Sequence, residues 1–444
     1  MSSRNLFGTD GVRGVAGEVL TAELALALGR AVTLAAAAAA PRVLVIRDTR
    51  ESGEMLEAAL AAGVTSVGGE VLLGGVLPTP AAPLLLARYG FDVAAVISAS
   101  HNPYRDNGIK FFGADGLKLT DETEARIEAI LAADAAGDRV APAGGTGRIR
   151  PLHGTHEDYL RELHTRFQAL DLTGVDVLLD CAHGATYRVA PEIFRRLGAT
   201  THVIADEPDG RNINDGCGST HVEALGAAVV AGGHHLGFAF DGDGDRVLAV
   251  DRTGAVVDGD ELIALAALHL RAQDRLRGGG VAVTVMTNYG FHTAMAAAGI
   301  AVETTGVGDR YVLEALRDRD WALGGEQSGH IIDMDFVPSG DGIASALLTL
   351  EALAGSDLAD RRGMDKLPQK LVNVKVGDRD AAMTDAGLLA AVAAESAALE
   401  GRGRVLVRPS GTEQLVRVMV EAPTADETDA VCARLVALVP GALS

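Results

Sequence analysis

A chain of 444 residues, at roughly 100 to 200 residues per domain, holds about three or four domains with ample core. Its 39 Lys and Arg against 60 Asp and Glu leave a formal net charge of −21, which argues against nucleic acid and anionic membrane as partners, because phosphate surfaces reward basic proteins. Cys181, Cys217 and Cys432 form no CxxC pair, so a disulfide framework and a thiolate zinc site are excluded and a reducing cytosol fits. The opening MSSRNLFGTDGVRG lacks the apolar segment of a secretory leader, which also predicts a cytoplasmic protein.

In chain order, AVTLAAAAAA (31–40) stops at Pro41, well short of the ~20 apolar residues of a membrane span, and predicts the buried end of an Ala-rich helix. Strand-like and helical stretches then alternate: RVLVIRD (42–48), MLEAALAAGVTSVG (55–68), EVLLGGVLPTP (70–80), APLLLARYG (82–90) and DVAAVISAS (92–100). The cadence returns at 174–199, 234–251 and 280–300, which predicts α/β domains with parallel or mixed sheets under helices. LVNVKVGD, GRGRVLVRPSGTEQLVRVMVEA and ADETDAVCARLVALV predict a small C-terminal α+β domain of antiparallel strands and a last helix. Breaks are expected at APAGGTGRIRP (141–151), near 255 and at RRGMDKLPQKL (361–371), giving segments 1–150, 151–254, 255–366 and 367–444.

Four loops carry chemistry. In SASHNPYRDNGIK (98–110), Ser100 lies just past a buried strand, and Asn102, Pro103, Asn107 and Gly108 read as a turn around it. A Ser beside His101 suggests a nucleophile and its base, but neighbours on an extended chain face opposite ways, so that pairing is not expected. In FAFDGDGDRVLAV, Asp241, Asp243 and Asp245 alternate with glycines; three carboxylates this close call for a hard cation, Mg²⁺ or Ca²⁺. An EF-hand does not fit, since Arg246 stands where its Gly belongs, Arg252 where its Glu belongs, and strands flank the loop.

The third loop, LGGEQSGHII (323–332), gathers Glu326, Gln327, Ser328 and His330, donors and acceptors suited to sugar hydroxyls and proton transfer. The fourth, RPSGTEQLVR (408–417), offers Arg408, Ser410, the backbone around Gly411, Thr412 and Arg417 as an anion cradle. Walker and GxGxxG fingerprints are absent, which disfavours a nucleotide. Together the loops point to phosphate transfer through a serine.

FGTDGVRG (7–14), SASHNP (98–103), DNGIK (106–110), DGDGDR (241–246), GEQSGH (325–330) and RPSGTE (408–413) agree in order and spacing with one family over nearly the whole chain. The sequence resembles the α-D-phosphohexomutases, and FGTDGVRG, CAHGATY and the Gln of GEQSGH resemble their amino-sugar branch. Gln414 departs from the family, which usually has Pro there.

The resemblance implies an α/β fold of four domains around a central cleft, three related α/β domains and a smaller C-terminal one. It implies phosphoserine at Ser100 and one Mg²⁺ per subunit on Ser100, Asp241, Asp243 and Asp245. Lys110 and His330 would move protons, Arg13 would stabilise the phosphoryl group, and His101 and Arg246 would stand beside it. Glu326 and Ser328 would hold sugar hydroxyls, and Arg408, Ser410, Gly411, Thr412 and Arg417 the phosphate that does not react. The implied reaction converts glucosamine 6-phosphate to glucosamine 1-phosphate through a hexose 1,6-bisphosphate, which also serves as activator, and feeds UDP-N-acetylglucosamine and cell-wall precursors. The implied partner is a small amino-sugar phosphate, with a homodimer as an allowed assembly. Two rival readings stand at this point: a haloacid dehalogenase-type phosphatase with Asp241 as nucleophile, and a metal-dependent sugar-phosphate-binding protein without catalysis.

Overall fold

The computed structural model describes residues 6–8, 10–135, 145–410 and 413–441. Two compact units make up the chain, Met1–Val285 with Glu303–Arg361, and Met286–Val302 with Arg362–Ser444. The larger unit holds three mixed sheets.

The first sheet comprises β1 (Val12–Val15), β2 (Arg42–Arg47), β3 (Glu70–Val76), β4 (Val93–Ile97), β5 (Asp106–Gly113) and β6 (Ile149–Pro151), ordered β1-β5-β4-β2-β3-β6. Val43, Leu44, Val45 and Ile46 are fully buried without alternation, as a parallel strand covered on both faces requires. The second sheet holds β7 (Asp176–Asp180), β8 (Thr200–Ile204), β9 (Leu236–Phe240), β10 (Val247–Asp251) and β11 (Val256–Val257), ordered β11-β10-β9-β7-β8. β7 runs parallel to β8 and β9, while β9 and β10 form an antiparallel pair closed by the acidic loop.

The third sheet contains β12 (Gly280–Thr284), β13 (Ala301–Thr305), β14 (Leu323–Gly325) and β15 (Ile331–Asp333), in the order β13-β12-β14-β15. β14 and β15 are antiparallel, so 326–330 is the tip of a hairpin. The smaller unit has an antiparallel sheet of β16 (Gln369–Lys375), β17 (Arg404–Pro409) and β18 (Leu415–Glu421), ordered β16-β18-β17. Its last helix, Ala425–Ala437, buries Val431, Cys432 and Leu435 against Val416, Val418 and Val420. Residues 286–302 join this unit because the Asn288 side chain bonds both backbone groups of Leu367 at 3.0 Å and Tyr289 N donates to Glu421 at 2.9 Å. Among the described residues no helix is long and apolar enough to cross a membrane.

Two expectations need correction. The helix Ala22–Ala35 ends before the second half of the alanine run, and Ala36–Ala40 form partly exposed bends that lead into Pro41, which disfavours helix in the residue before it. Asn107 and Gly108 are not turn residues but lie in β5, where Gly108 pairs with Arg13. A side chain at Gly108 would meet Ser98 O at 2.6 Å, so its presence there reflects close strand approach. Within the stretch 141–151, residues 141–144 lie outside the described residues, and Ile149–Pro151 close the first sheet as an edge strand on β3.

Asp341 caps the helix Gly342–Leu353, accepting from Ala344 N at 2.9 Å, and both its oxygens take the buried Tyr159 hydroxyl at 3.0 and 2.9 Å. Burial pushes this carboxyl up from 3.8 to about 7, against the hydrogen bonds that pull it down. A raised folded value means the neutral form favours folding at low pH, and that contribution fades as pH climbs through 7. Asn keeps the cap and an acceptor for Tyr159 but does not titrate. The urea midpoint of Asp341→Asn relative to wild type is therefore expected to improve as pH rises from about 5 to about 8; a constant difference contradicts it.

Candidate active site

The serine loop leaves β4 with its backbone inverted. Ser100 has φ +53°, a conformation uncommon for a residue with a Cβ. The inversion overturns the expectation for its neighbour: the chain is not extended there, and Ser100 Oγ lies 3.2 Å from His101 Nδ1. Its stronger partner is Asp241, whose Oδ2 accepts the hydroxyl at 2.6 Å. Ser100 itself is buried.

Four groups hold the inverted turn. Arg50, fully buried, donates to Ser100 O at 3.0 Å, to Asn102 O at 2.8 Å and to Pro103 O. Asn214 from the second sheet's side donates to Ser100 O at 2.9 Å and Asn102 O at 3.1 Å. Asp48 pairs with Arg50 at 2.8 Å and accepts from Ser98 Oγ at 2.6 Å, while Ser98 Oγ accepts from Ser100 N at 2.9 Å. Sequence reasoning missed Asp48, Arg50 and Asn214; the only signal was RDTR directly after a buried strand.

Asp241, Asp243 and Asp245 are buried on the β9–β10 turn, with ligand oxygens within 4.8 Å of one another. Lys110 reaches from β5 to Asp243 at 2.8 Å, Asp245 at 3.5 Å and Asp10 at 3.2 Å. Thr79 Oγ1 donates to the same Asp243 oxygen at 2.7 Å. Burial pulls the Lys110 ammonium down, but Asp10, Asp243 and Asp245 outweigh it and hold it above the ordinary lysine range. Burial together with Asp245 and Asp243 pushes Asp241 well up, whereas Lys110, His330 and Arg246 overcome burial and hold Asp245 well down. Asp243 Oδ1 and Asp245 Oδ1 are buried with no hydrogen-bond partner among the described residues. An all-oxygen donor set with orphaned acceptors fits a hard divalent cation.

Around this centre stand the other predicted residues of the larger unit. Arg246 N donates to Asp241 at 3.1 Å, and its guanidinium donates to His101 Nδ1 at 3.0 Å. Burial, Arg246 and Arg13 lower His101 to about 4, so it is neutral and accepts that bond. Arg13 on β1 pairs with Asp10. His330 is buried at the hairpin tip, 3.6 Å from Asp245 and 3.7 Å from Asp309, and those carboxylates outweigh burial to raise its pKa. Lys118 bridges Asp10 and Asp309 at 2.5 Å each, a link that sequence reasoning missed. Glu326 accepts from Gly308 N at 3.1 Å, and Ser328 is exposed beside it.

In the smaller unit Arg408 and Arg417 sit directly opposite each other on β17 and β18. Burial and then Arg417 lower the Arg408 pKa, the mark of two cations sharing one place. Arg379 donates to Ser410 O at 2.6 Å and Gln414 accepts from Arg379 N at 3.4 Å, so Gln414 ties the loop from its side chain where Pro would stiffen it. Gly411 and Thr412 lie outside the described residues.

The Arg50 clamp is testable by stability. Arg50→Ala leaves Asp48 buried without its cation and takes one of two donors from the carbonyls of Ser100 and Asn102, an expected loss of about 3–5 kcal/mol. A urea midpoint that falls sharply for Arg50→Ala and stays in place for the exposed Arg211→Ala is the predicted pattern; equal midpoints contradict it.

Family-level profiles match the chain from end to end. Residues 4–137 match phosphoglucomutase/phosphomannomutase alpha/beta/alpha domain I, 152–254 domain II, 258–371 domain III and 371–438 the C-terminal domain. Phosphoglucosamine mutase of Moorella thermoacetica is 51% identical over 444 residues, covering 98% of this chain and 99% of that protein. The protein of the same name from Mycolicibacterium paratuberculosis is also 51% identical over 444 residues, with coverage of 98% and 99%. In structure, a phosphoglucomutase/phosphomannomutase family protein of Burkholderia thailandensis superposes with a TM-score of 0.82 at 24% identity, covering 100% of this chain and 99% of that one. The haloacid dehalogenase-type reading explains none of this agreement outside the acidic loop. With all four domains matched in order and half the residues shared with full-length relatives, the chain belongs to the phosphoglucomutase/phosphomannomutase family, the α-D-phosphohexomutases, which are phosphomutases of the isomerase class.

Proposed function

We propose that this chain interconverts glucosamine 6-phosphate and glucosamine 1-phosphate through phosphoserine at Ser100 and a bound 1,6-bisphosphate. The observation that carries the reading is the Ser100 hydroxyl, buried on an inverted backbone 2.6 Å from Asp241 Oδ2. The choice of amino sugar rests on the full-length relatives named phosphoglucosamine mutase. The product would supply UDP-N-acetylglucosamine and cell-wall precursor synthesis.

In the first half-reaction the sugar O1 attacks the phosphorus on Ser100, the P–Oγ bond breaks, and a proton passes from O1 while Oγ regains one. In the second, Ser100 Oγ gives up its proton as it attacks the phosphorus on O6 of the turned bisphosphate, the P–O6 bond breaks, and O6 leaves with a proton. Lys110 and His330 flank the acidic loop from two sides and are the proton carriers in this reading. Arg13 and Arg246 supply positive charge beside the transferring group, and His101 holds Arg246 at 3.0 Å. Asp241, Asp243, Asp245 and a phosphate oxygen of Ser100 would hold Mg²⁺, which when bound spreads the negative charge of the phosphoryl group. Glu326 and Ser328 would bind sugar hydroxyls. The facing Arg408 and Arg417, with Ser410, would bind the second phosphate, since two guanidiniums facing each other, without a carboxylate between them among the described residues, favour an anion.

Enzyme stripped of its phosphate has nothing to donate and should be inert with glucosamine 6-phosphate alone. A trace of glucose 1,6-bisphosphate is expected to shorten a lag in turnover and to add one phosphate in mass, localised to Ser100. Ser100→Ala should lose nearly all activity and gain no phosphate, and chelator should silence wild type until Mg²⁺ is restored. Lag-free turnover by dephosphorylated protein sinks the mechanism.

Sugar preference tests the branch separately. Glucosamine and glucose phosphates differ at C2, away from the hydroxyls assigned to Glu326 and Ser328, so a strong but incomplete preference for the amino sugar is expected. Equal kcat/KM for glucosamine 1-phosphate and glucose 1-phosphate leaves a general hexose phosphomutase instead.

A further inference from the structure

At the far end of the second sheet, three side chains gather that the phosphoryl chemistry does not use. Asp176 opens β7, His202 lies in β8, and His234 sits between the helix Val222–Gly232 and β9. In the parallel register Asp176 faces Thr200 and Leu178 faces His202, so Asp176 and His202 are diagonal neighbours on one face. His202 Nε2 is 3.6 Å from one Asp176 oxygen, and His234 Nδ1 is 2.6 Å from the other. All three ligand atoms lie within 4.8 Å of one another.

The cluster is held from behind. His235 Nδ1 accepts from Asp176 N at 3.1 Å, fixing the backbone that carries the carboxylate. The His234 ring packs onto Gly232, where a Cβ would meet its Nε2 at 2.4 Å; only glycine leaves that ring room to aim Nδ1 at Asp176. The two imidazoles touch, with centroids 4.6 Å apart and planes 44° from parallel. Two imidazole nitrogens converge on the two oxygens of one carboxylate, and a cation would take the place of the proton that His234 Nδ1 shares with Asp176. A tetrahedral zinc with ligands at about 2.0–2.1 Å needs donor atoms about 3.3 Å apart, and the 2.6 and 3.6 Å separations from the histidine nitrogens to the carboxylate bracket that value.

We propose that Asp176, His202 and His234 form a second metal site, which takes Zn²⁺ through two imidazole nitrogens and one carboxylate, with a water in the fourth position. Half-exposed His202 leaves that position open to solvent. Imidazole donors select a borderline transition cation over Mg²⁺, so the site differs in chemistry from the all-oxygen acidic loop. It also differs in place: β7 runs from Asp176 to Asp180, about 13 Å at ~3.3 Å per residue, before the chain reaches the loop whose Ala185 N bonds Gly242 O. Its role is therefore structural, pinning β7, β8 and the entry to β9 at one edge of the domain.

Co²⁺ serves as an optical stand-in for Zn²⁺. Full-length protein in excess Mg²⁺, which occupies the acidic loop, is titrated with Co²⁺ and followed by visible absorption, then back-titrated with Zn²⁺. The expected result is one equivalent of four-coordinate Co²⁺, displaced by Zn²⁺ and retained in Asp243→Asn. His202→Ala and His234→Ala should each weaken binding by at least about tenfold, and Zn²⁺ should raise the thermal midpoint of wild type but not of either variant. No four-coordinate band in wild type, or a band that survives both histidine substitutions, overturns the site.

Discussion

Like charge packed out of water is the constraint around which the larger unit is arranged. Asp241, Asp243 and Asp245 have oxygens within 4.8 Å of one another, a separation at which each ionised pair repels by about 3 kcal/mol at an effective dielectric constant near 20. Asp10 and Asp309 add to the crowd. Lys110, Lys118, Arg13 and Arg246 answer it, each drawn from a different stretch of chain. Because Lys110 stands on β5 of the first sheet and the aspartates on a turn of the second, the two domains must register correctly for either charge to be tolerated.

The same constraint explains why the serine loop is built so expensively. A hydroxyl placed 2.6 Å from a carboxylate inside that cluster needs a backbone that turns back on itself, and the left-handed Ser100 supplies the turn. A strained residue persists only where its surroundings over-determine it. Arg50 and Asn214 do so by capturing the carbonyls of Ser100 and Asn102 from two domains, and Asp48 keeps Arg50 in place. Ser100 therefore has little freedom apart from its side chain, which suits the phosphate carrier proposed for it.

His330 and Lys118 show how the third domain is brought into the arrangement. The β14–β15 hairpin carries His330 against Asp245, and Asp309 at the start of the helix Asp309–Arg319 meets both His330 and Lys118. Carboxylates thus act as the joints between basic groups of the first and third domains, buried at Asp245 and partly exposed at Asp309. A net charge of −21 over the whole chain is compatible with an anionic substrate because the cations are gathered locally, including the opposed Arg408 and Arg417 of the smaller unit.

Much of this was legible in the sequence alone. Buried strands such as RVLVIR and VAAVI announced themselves as unbroken apolar runs, and the DGDGD spacing announced a cluster of carboxylates whose donor set fits a hard cation. Order and spacing of six motifs identified the family. What only the tertiary structure decided are the contacts between segments far apart in the chain. Arg50 and Asn214 read as unremarkable loop residues, since nothing local says that a guanidinium will be fully buried against carbonyls some 50 positions away. Asn107 and Gly108 read as turn formers, because their composition cannot reveal that β1 pairs with both and that Ser98 N bonds Gly108 O from the other side. The pairing of Ser100 with His101 was denied by local geometry and granted by an inverted φ, a conformation that residue type disfavours and that distant hydrogen bonds impose. Asp176, His202 and His234 carry no motif at all; a parallel register and one glycine bring them together. Local pattern determines which residues will be strand, helix or acid loop, while the partners that neutralise a buried charge are chosen by the fold, because electrostatic compensation acts through space and leaves no period in the sequence.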